Sequence, residues 1–272
     1  MPADAVRTNR YNSVGTMYQF SITPMSLVVA TWVPEGIVMA SDSRQSVAIG
    51  GKGPDGKEFK VETVNSDSVT KTFLLQSQQV GVSHFGQDLL GGIPMAGHIK
   101  RFSEEKLKES DDVESIVQKL VEFMNGEFGA ADTGFHVAGY KKEGRASMPH
   151  VYYCHSGKKL IERRNKKADG GISYGSTWSG QADVIGNLLS PVIATSASGQ
   201  QTILRPSVPI VWDAMPLQDA IDFSVFAIRT TIDTIRFQAR PKNVGGAIDV
   251  LAITPVSCSW IVHKELRANG AM

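Results

Sequence analysis

The 272-residue chain carries 28 basic and 27 acidic side chains, so its formal net charge is only +1. A charge this small gives no electrostatic reason to expect nucleic acid or an anionic membrane as a partner. Hydrophobic residues make up 42% and charged residues 20% of the sequence, which is ordinary for a globular protein. The length is sufficient for one large hydrophobic core.

The cysteines and the first residues bear on the cellular compartment. Cys154 and Cys258 are far apart and form no CxxC motif, and we interpret them as reduced thiols of a cytoplasmic protein. No apolar run approaches the ~18 residues that would span a bilayer. Residues 1–25 lack the basic and apolar regions of a secretory signal. They are polar and irregular, and we predict that they form a leader or propeptide-like arm.

Short apolar runs predict strands in the first third of the chain. Residues 27–33 are rich in β-branched side chains, and a Pro/Gly turn separates them from a second apolar run at 37–40, which together predict a hairpin. The Gly-rich stretch 46–67 is predicted as a loop containing a small hairpin. Residues 69–75 and 80–85 are predicted as a second pair of strands.

Four helices are predicted, and apolar residues at three- and four-residue spacing indicate two of them, 111–128 and 216–237. The clearest spans 111–128, where Asp111 is the predicted N-cap and Glu114 completes a capping box. The last helix starts at Pro216, a residue that suits the first helical position. The predicted helical ranges are 89–107, 111–128, 180–189 and 216–237.

The remaining strands are predicted on either side of the last two helices. They cover residues 135–140, 150–154, 172–174, 247–253 and 257–262, and residues 191–213 are predicted as irregular. This order of strands and helices fits helix pairs on the outside of two stacked sheets. The predicted fold class is therefore α+β, a four-layer α/β/β/α sandwich, with residues 26–272 forming a single domain.

Ser26 opens an apolar strand and lies sixteen residues before the Asp42-Ser43-Arg44 sequence. With the segments that follow, this spacing resembles the β-type subunits of the proteasome family, which are N-terminal-nucleophile (Ntn) hydrolases. The Lys71 segment resembles the strand that carries the family's catalytic lysine. Residues 81–86 resemble its Gly-rich strand end, and similar segments continue to about residue 263.

The resemblance implies a role for five residues of the candidate site. Ser26 would be the nucleophile, exposed as a new N-terminus after loss of the leader, and its α-amine would be the base. Lys71 would favour the neutral amine, and Asp42 would hold Lys71 as an ion pair. A backbone N–H near Gly86 would stabilise the oxyanion. Ser176 would bond the α-amine or relay its proton.

Several positions differ from the family pattern and leave two other functions open. The family has Thr where this chain has Ser26, and a self-cleaving precursor usually has Gly where this chain has Met25. Pro241 and Val244 replace an Asp and a Ser that support catalysis in the family. One alternative is therefore a catalytically inactive scaffold or assembly subunit. The other is an Ntn amidohydrolase or transacylase that acts on small amides.

The resemblance also implies the partners of the protein. We expect a peptide or an unfolded protein as substrate and a homo-oligomeric ring as the assembly, whereas a regulatory ATPase stays unknown. The chemistry would need no organic cofactor and no metal, and the six histidines have no metal-ligand spacing. We therefore expect a cytoplasmic peptidase that is similar to threonine-type endopeptidases but has serine as its nucleophile.

Overall fold

The computed structural model describes residues 8–11, 17–22, 26–52, 55–196 and 198–265. Its strands are β1 (Thr8–Tyr11), β2 (Met17–Ile22), β3 (Leu27–Val33), β4 (Gly36–Ser41), β5 (Gln45–Lys52), β6 (Glu58–Ser66), β7 (Thr72–Leu75), β8 (Val80–Gly86), β9 (Leu89–Leu90), β10 (Ile93–Pro94), β11 (Thr133–Glu143), β12 (Ala146–His155), β13 (Leu160–Arg163), β14 (Gly175–Gly180), β15 (Val192–Thr195), β16 (Gln201–Arg205), β17 (Asp249–Ile253) and β18 (Cys258–Val262). The helices are α1 (Met95–Lys106), α2 (Val113–Phe128), α3 (Asp183–Leu189) and α4 (Leu217–Arg236), with a 3-10 turn at Trp212–Ala214.

Two five-stranded sheets form the centre of the fold. Their strand orders are β14-β3-β4-β17-β18 and β13-β12-β11-β8-β7, and neighbouring strands are antiparallel. A four-stranded sheet has the order β1-β2-β5-β6, and two small sheets pair β9 with β10 and β15 with β16. The described chain therefore holds five antiparallel sheets.

The predicted α+β class, a four-layer α/β/β/α sandwich, is wrong. The described residues are mostly β, with eighteen strands against four α-helices, and three sheets accompany the two five-stranded sheets. The error arose at strands that the sequence pattern did not identify. Stretch 46–67 was predicted as mainly loop but contains β5 and β6, and "irregular" 191–213 contains the β15–β16 hairpin. These strands lie largely at the surface, so burial does not impose an apolar pattern on them.

Three apolar clusters stabilise the fold. One lies between helices α1 and α2 and the sheet that contains β8 and β11, and a second lies between helices α3 and α4 and the sheet of β3 and β4. The third joins the two five-stranded sheets to each other, with Ala30, Trp32, Met39 and Leu251 of one sheet against Ala138 and Val151 of the other. Strands β3 and β4 are buried along their whole length, so the residues at their ends are held rigidly.

Part of the predicted leader belongs to a sheet. Strand β1 pairs with β2, and β2 pairs with β5, so residues 8–11 and 17–22 extend the four-stranded sheet. The rest of the 1–25 segment, including Met25, lies outside the described residues. Removal of residues 1–25 stays a prediction. No helix within the described residues is both long and apolar enough to cross a membrane.

Helix α2 begins one residue later than the sequence pattern predicted. Its N-cap is Asp112, whose Oδ1 accepts from the Ser115 N–H at 2.9 Å, whereas Asp111 binds the Lys119 ammonium. Because an N-cap acceptor satisfies a backbone N–H that the helix cannot, we expect Asp112→Ala to lower the free energy of unfolding by about 1 kcal/mol. Urea denaturation would measure this. Asp112→Asn keeps the acceptor and is the control; an equal loss in both variants would contradict the capping role.

Candidate active site

Ser26 lies immediately before β3 and is 3% exposed in the full-length chain. Its carbonyl oxygen accepts a hydrogen bond from the Gln181 N–H at 2.7 Å. Gly180 has a φ of +96°, and a Cβ placed on it would lie 1.6 Å from the Ser26 oxygen. A side chain at position 180 would therefore collide with backbone. The end of β14 packs so closely against the Ser26 carbonyl that only glycine fits at position 180.

Asp42 is brought next to Ser26 by the β3–β4 hairpin. In the register of that hairpin Val28 lies opposite Ser41, and the Asp42 N–H donates to the Leu27 carbonyl at 3.2 Å. The spacing of sixteen residues therefore corresponds to one tight hairpin. The Asp42 side chain is fully buried, and its Oδ1 accepts from the Leu27 N–H at 2.9 Å. The carboxylate thus binds the backbone of the residue that follows Ser26.

Two further backbone groups bind the other oxygen of this carboxylate. Asp42 Oδ2 accepts from the N–H groups of Arg44 and Gly245, both at 3.1 Å. A carboxylate that is buried needs such donors, because burial without partners would cost several kcal/mol. The loop before β17 thereby contributes to the site through its backbone.

Lys71 lies directly before β7 and is 2% exposed, which makes it one of the largest fully buried side chains. Its Nζ donates to Asp42 Oδ1 at 2.8 Å and to the Arg44 carbonyl at 2.5 Å. Its own carbonyl accepts from the His84 N–H at 2.7 Å, which fixes it to the neighbouring strand β8. The sequence prediction of an Asp42–Lys71 ion pair agrees with these distances.

Arg44 lies at the edge of the corner of the fold that Ser26, Asp42 and Lys71 form. Its Nε and Nη2 donate to the two carboxylate oxygens of Asp67 at 2.6 and 2.8 Å, and its Nη1 donates to the Lys242 carbonyl at 3.0 Å. The hydrogen bonds from Arg44 lower the pKa of the Asp67 carboxyl. The Arg44 side chain is therefore held by Asp67. This interaction positions the Arg44 backbone carbonyl, which accepts the hydrogen bond from Lys71.

Ser176 is not brought to Ser26. It lies opposite Thr31 on the neighbouring strand, five residues along β3 from Ser26, which corresponds to roughly 17 Å. Its hydroxyl is 2.9 Å from the Thr31 hydroxyl, and that hydroxyl is 3.0 Å from Ser224. These three hydroxyls form a chain at the other end of the strand.

Ser179, which precedes the Gly180 that contacts Ser26, and its partner His136 were missed in the sequence. Ser179 pairs with Val28, and its hydroxyl is 2.9 Å from His136 Nε2. Burial lowers the pKa of His136 to about 3, so its ring is neutral at physiological pH. The signal that could have found Ser179 is a second Ser/Gly pair at 179–180, at the end of the same strand as the Gly/Ser pair at 175–176.

Gly86 ends β8 with a φ of +96°, and a Cβ placed on it would lie 2.4 Å from the Asp132 carbonyl. Among the hydrogen bonds of the described residues, none links Gly86 to Ser26. Pro241 is exposed, and Val244 is buried in the apolar cluster beneath α4. Neither residue can donate or accept a side-chain hydrogen bond at the site.

The arrangement offers an oxygen nucleophile, a buried ammonium and a buried carboxylate within one corner of the fold. The residues that the structure describes contain no group of three or more His, Cys, Asp or Glu side chains that could hold a metal ion. No model of a protein family matches the sequence, and the comparison with curated proteins gives no match either. The chemistry of the corner itself is therefore the basis for a functional proposal.

Proposed function

We propose that the protein is an amide hydrolase whose nucleophile is Ser26, acting as an N-terminal residue after the chain is cut before it. One observation carries the proposal: the buried Lys71–Asp42 pair is bound directly to the backbone of the Ser26–Leu27 segment. A buried ion pair is weak evidence for stability, because its desolvation offsets much of its attraction. Assistance of a Ser26 nucleophile explains better why the Lys71–Asp42 pair lies beside that serine. The resemblance to β-type proteasome subunits points to peptide bonds as the target.

The proposed reaction needs a free α-amine on Ser26. In the full-length chain that nitrogen belongs to the peptide bond with Met25, so it cannot accept a proton. Once freed, its reference pKa is about 8. The nearby Lys71 ammonium favours the neutral form of the amine, which is the form that can act as a base.

The steps follow from these groups. The α-amine takes the proton of the Ser26 hydroxyl as the oxygen attacks the substrate carbonyl, and donors such as the N–H of Gly86 would stabilise the oxyanion. The amine returns the proton to the leaving nitrogen as the C–N bond breaks, which leaves an ester on Ser26. Water then attacks the ester with the α-amine again as base, releases the acid and restores Ser26.

The compartment and the assembly belong to the same proposal. Cys154 and Cys258 are free, and burial raises the pKa of Cys154 to about 12, so this thiol is inert. Free thiols fit a reducing cytoplasm. A homo-oligomeric ring that acts on peptides or unfolded proteins is supported only by the resemblance to proteasome subunits.

A non-catalytic scaffold is the second candidate. It is favoured by Pro241 and Val244, which provide no polar side chain where the family has two, and by the 3% exposure of Ser26 in the uncut chain. A scaffold would keep the Lys71–Asp42 pair for structure alone.

The intact mass of freshly purified protein separates the two candidates. We expect the wild type to lose residues 1–25, because Ser26 attacks the preceding peptide bond, and we expect Ser26→Ala to keep them. Ser26→Thr, which retains a hydroxyl, is expected to be cut. Ser147→Ala, on the distant strand β12, is the matched control and should behave as the wild type.

A peptide epoxyketone adds a second measurement, since it reacts with a hydroxyl and an α-amine on the same residue. Labelling of Ser26 in the cut protein would support the hydrolase. Full-length protein in every variant, together with no labelling, would overturn the hydrolase and favour the scaffold.

A further inference from the structure

His84 and Asp88 form a buried pair next to the Lys71 backbone that the proposed mechanism does not use. His84 is fully buried and Asp88 is 5% exposed. His84 Nδ1 lies 3.8 Å from Asp88 Oδ1, and neither atom has a hydrogen-bond partner among the described residues. Buried polar atoms without partners are rare in folded proteins and require an explanation.

Both atoms are hydrogen-bond acceptors. His84 Nε2 lies 2.9 Å from the Gln87 carbonyl, which can only accept, so Nε2 carries the proton of a neutral ring. Burial lowers the pKa of His84 and favours that neutral ring. Nδ1 therefore presents a lone pair towards the carboxylate of Asp88. At 3.8 Å the two atoms are too far apart for a hydrogen bond between them.

The neighbouring cations are already bound elsewhere. Lys71 binds Asp42, and Arg44 binds Asp67 through both carboxylate oxygens. The Asp88 carboxylate receives one neutral donor, the side-chain amide of Gln45 at Oδ2. A buried carboxylate with a single neutral donor has a large unmet demand for positive charge.

Other histidine–carboxylate pairs in the described chain do not show this gap. His155 and Asp132 are 2.9 Å apart, His150 and Glu143 are 2.8 Å apart, and His263 lies 3.2 Å from Asp249. Each of these pairs is within hydrogen-bond distance. His84 Nδ1 and Asp88 Oδ1 are at a separation that one donor atom bonded to both could bridge.

We propose that His84 and Asp88 bind a cationic donor, an alkylammonium or guanidinium group, whose nitrogen bonds Nδ1 and Oδ1 together. A nitrogen can lie about 2.9 Å from both atoms at their present separation. The positive charge of this nitrogen would compensate the negative charge of the Asp88 carboxylate. Charge-assisted hydrogen bonds are also about twice as strong as neutral ones. A water molecule would supply the donors but not the charge.

Gln45 marks the route from the surface. Its amide nitrogen donates to Asp88, and its amide oxygen accepts from the exposed Asn65 at 2.6 Å. We therefore expect a ligand to displace the Gln45 amide from Asp88. The pair is also close to the candidate nucleophile, since the His84 N–H bonds the Lys71 carbonyl. Resting on the proposed function, the substrate class would be peptides or amides with a lysine- or arginine-like side chain.

Binding is tested apart from catalysis on full-length Ser26→Ala protein labelled with ¹⁵N in its histidines. The probe is n-butylammonium chloride, with n-butanol as the neutral isostere at matched ionic strength. We expect n-butylammonium to cause a saturable change of the His84 Nδ1 signal and n-butanol to cause none. We expect Asp88→Asn to weaken this binding about 10- to 100-fold, because it removes a charged acceptor.

Asp132→Asn is the matched control, since it removes the exposed carboxylate that pairs with the buried His155 and should leave binding unchanged. No saturable response to n-butylammonium, an equal response to n-butanol, or unchanged binding in Asp88→Asn would each overturn the proposal. The comparison of cation and isostere needs no variant at position 88 and so does not depend on whether Asp88→Asn folds. Failure here would leave the mass test of Ser26 unaffected.

Discussion

Lys71→Met is expected to lower the free energy of unfolding by about 3–5 kcal/mol, because it leaves the Asp42 carboxylate buried without its counter-charge. Methionine keeps the apolar stem of the side chain, so little volume is lost from a site that is 2% exposed. The carboxylate would retain only its backbone donors, the N–H groups of Leu27, Arg44 and Gly245. Urea denaturation of full-length protein measures the loss.

Two further variants define the origin of this effect. Lys100→Met removes an ammonium 3.9 Å from Glu104 on the exposed face of α1, and we expect a loss of about 0.3–0.5 kcal/mol. The double variant Asp42→Asn/Lys71→Met removes both charges and should be more stable than Lys71→Met alone. If Lys71→Met costs no more than Lys100→Met, the buried pair does not hold the corner together.

The parts of the fold that face the core were the parts that the sequence predicted well. The run 27–33 is β3, and the apolar stripe beginning at Leu217 is α4, which spans Leu217–Arg236. Pro216 was predicted as the first helical residue but is the extended N-cap. Burial imposes a periodic apolar pattern on such elements. Helix α1 begins only at Met95, after the turn around Gly91 and Gly92, where the predicted helix had started at residue 89.

The surface sheets could not be predicted in the same way. Strand β6 contains Phe59, Val61 and Val64 among six charged or polar residues and is mostly exposed, so its weak apolar pattern did not distinguish a full strand from a loop with a small hairpin. Strand β6 is stabilised by backbone pairing with β5. The residue types of a strand give only weak information about such pairing. The assignment of the chain as a four-layer sandwich failed at these strands.

The residues of the candidate site also differ in how well the sequence predicted their positions. The β3–β4 hairpin brings Ser26 next to Asp42, and Lys71 precedes β7 of the other five-stranded sheet, so the resemblance to a family, and not chain spacing alone, associated the three residues. Ser176 depended on where β14 pairs with β3, and a shift of a few residues moves a side chain along the strand by many ångströms. The pairing brings Gly180 to Ser26 instead.

Gly180→Ala is expected to destabilise the protein by at least about 3 kcal/mol, because two separate constraints act on this residue. Its φ of +96° is strained for any residue with a Cβ, and the new Cβ would lie 1.6 Å from the Ser26 carbonyl oxygen. The obstructing atom is backbone and cannot rotate away. Relief would require the end of β14 to separate from β3, which would break the hydrogen bond from the Gln181 N–H to Ser26.

Gly186→Ala is the matched control for this variant. Gly186 lies within α3, its φ is not positive, and a Cβ added to it would meet no atom within 4 Å. Alanine there should therefore be neutral or stabilise the helix by up to about 1 kcal/mol. Urea denaturation compares the two variants, and intact mass then reports whether each is cut before Ser26. A Gly180→Ala protein as stable as Gly186→Ala would contradict the close packing of β14 on Ser26. Loss of cutting in Gly180→Ala alone would instead show that this contact positions the Ser26 peptide bond for attack.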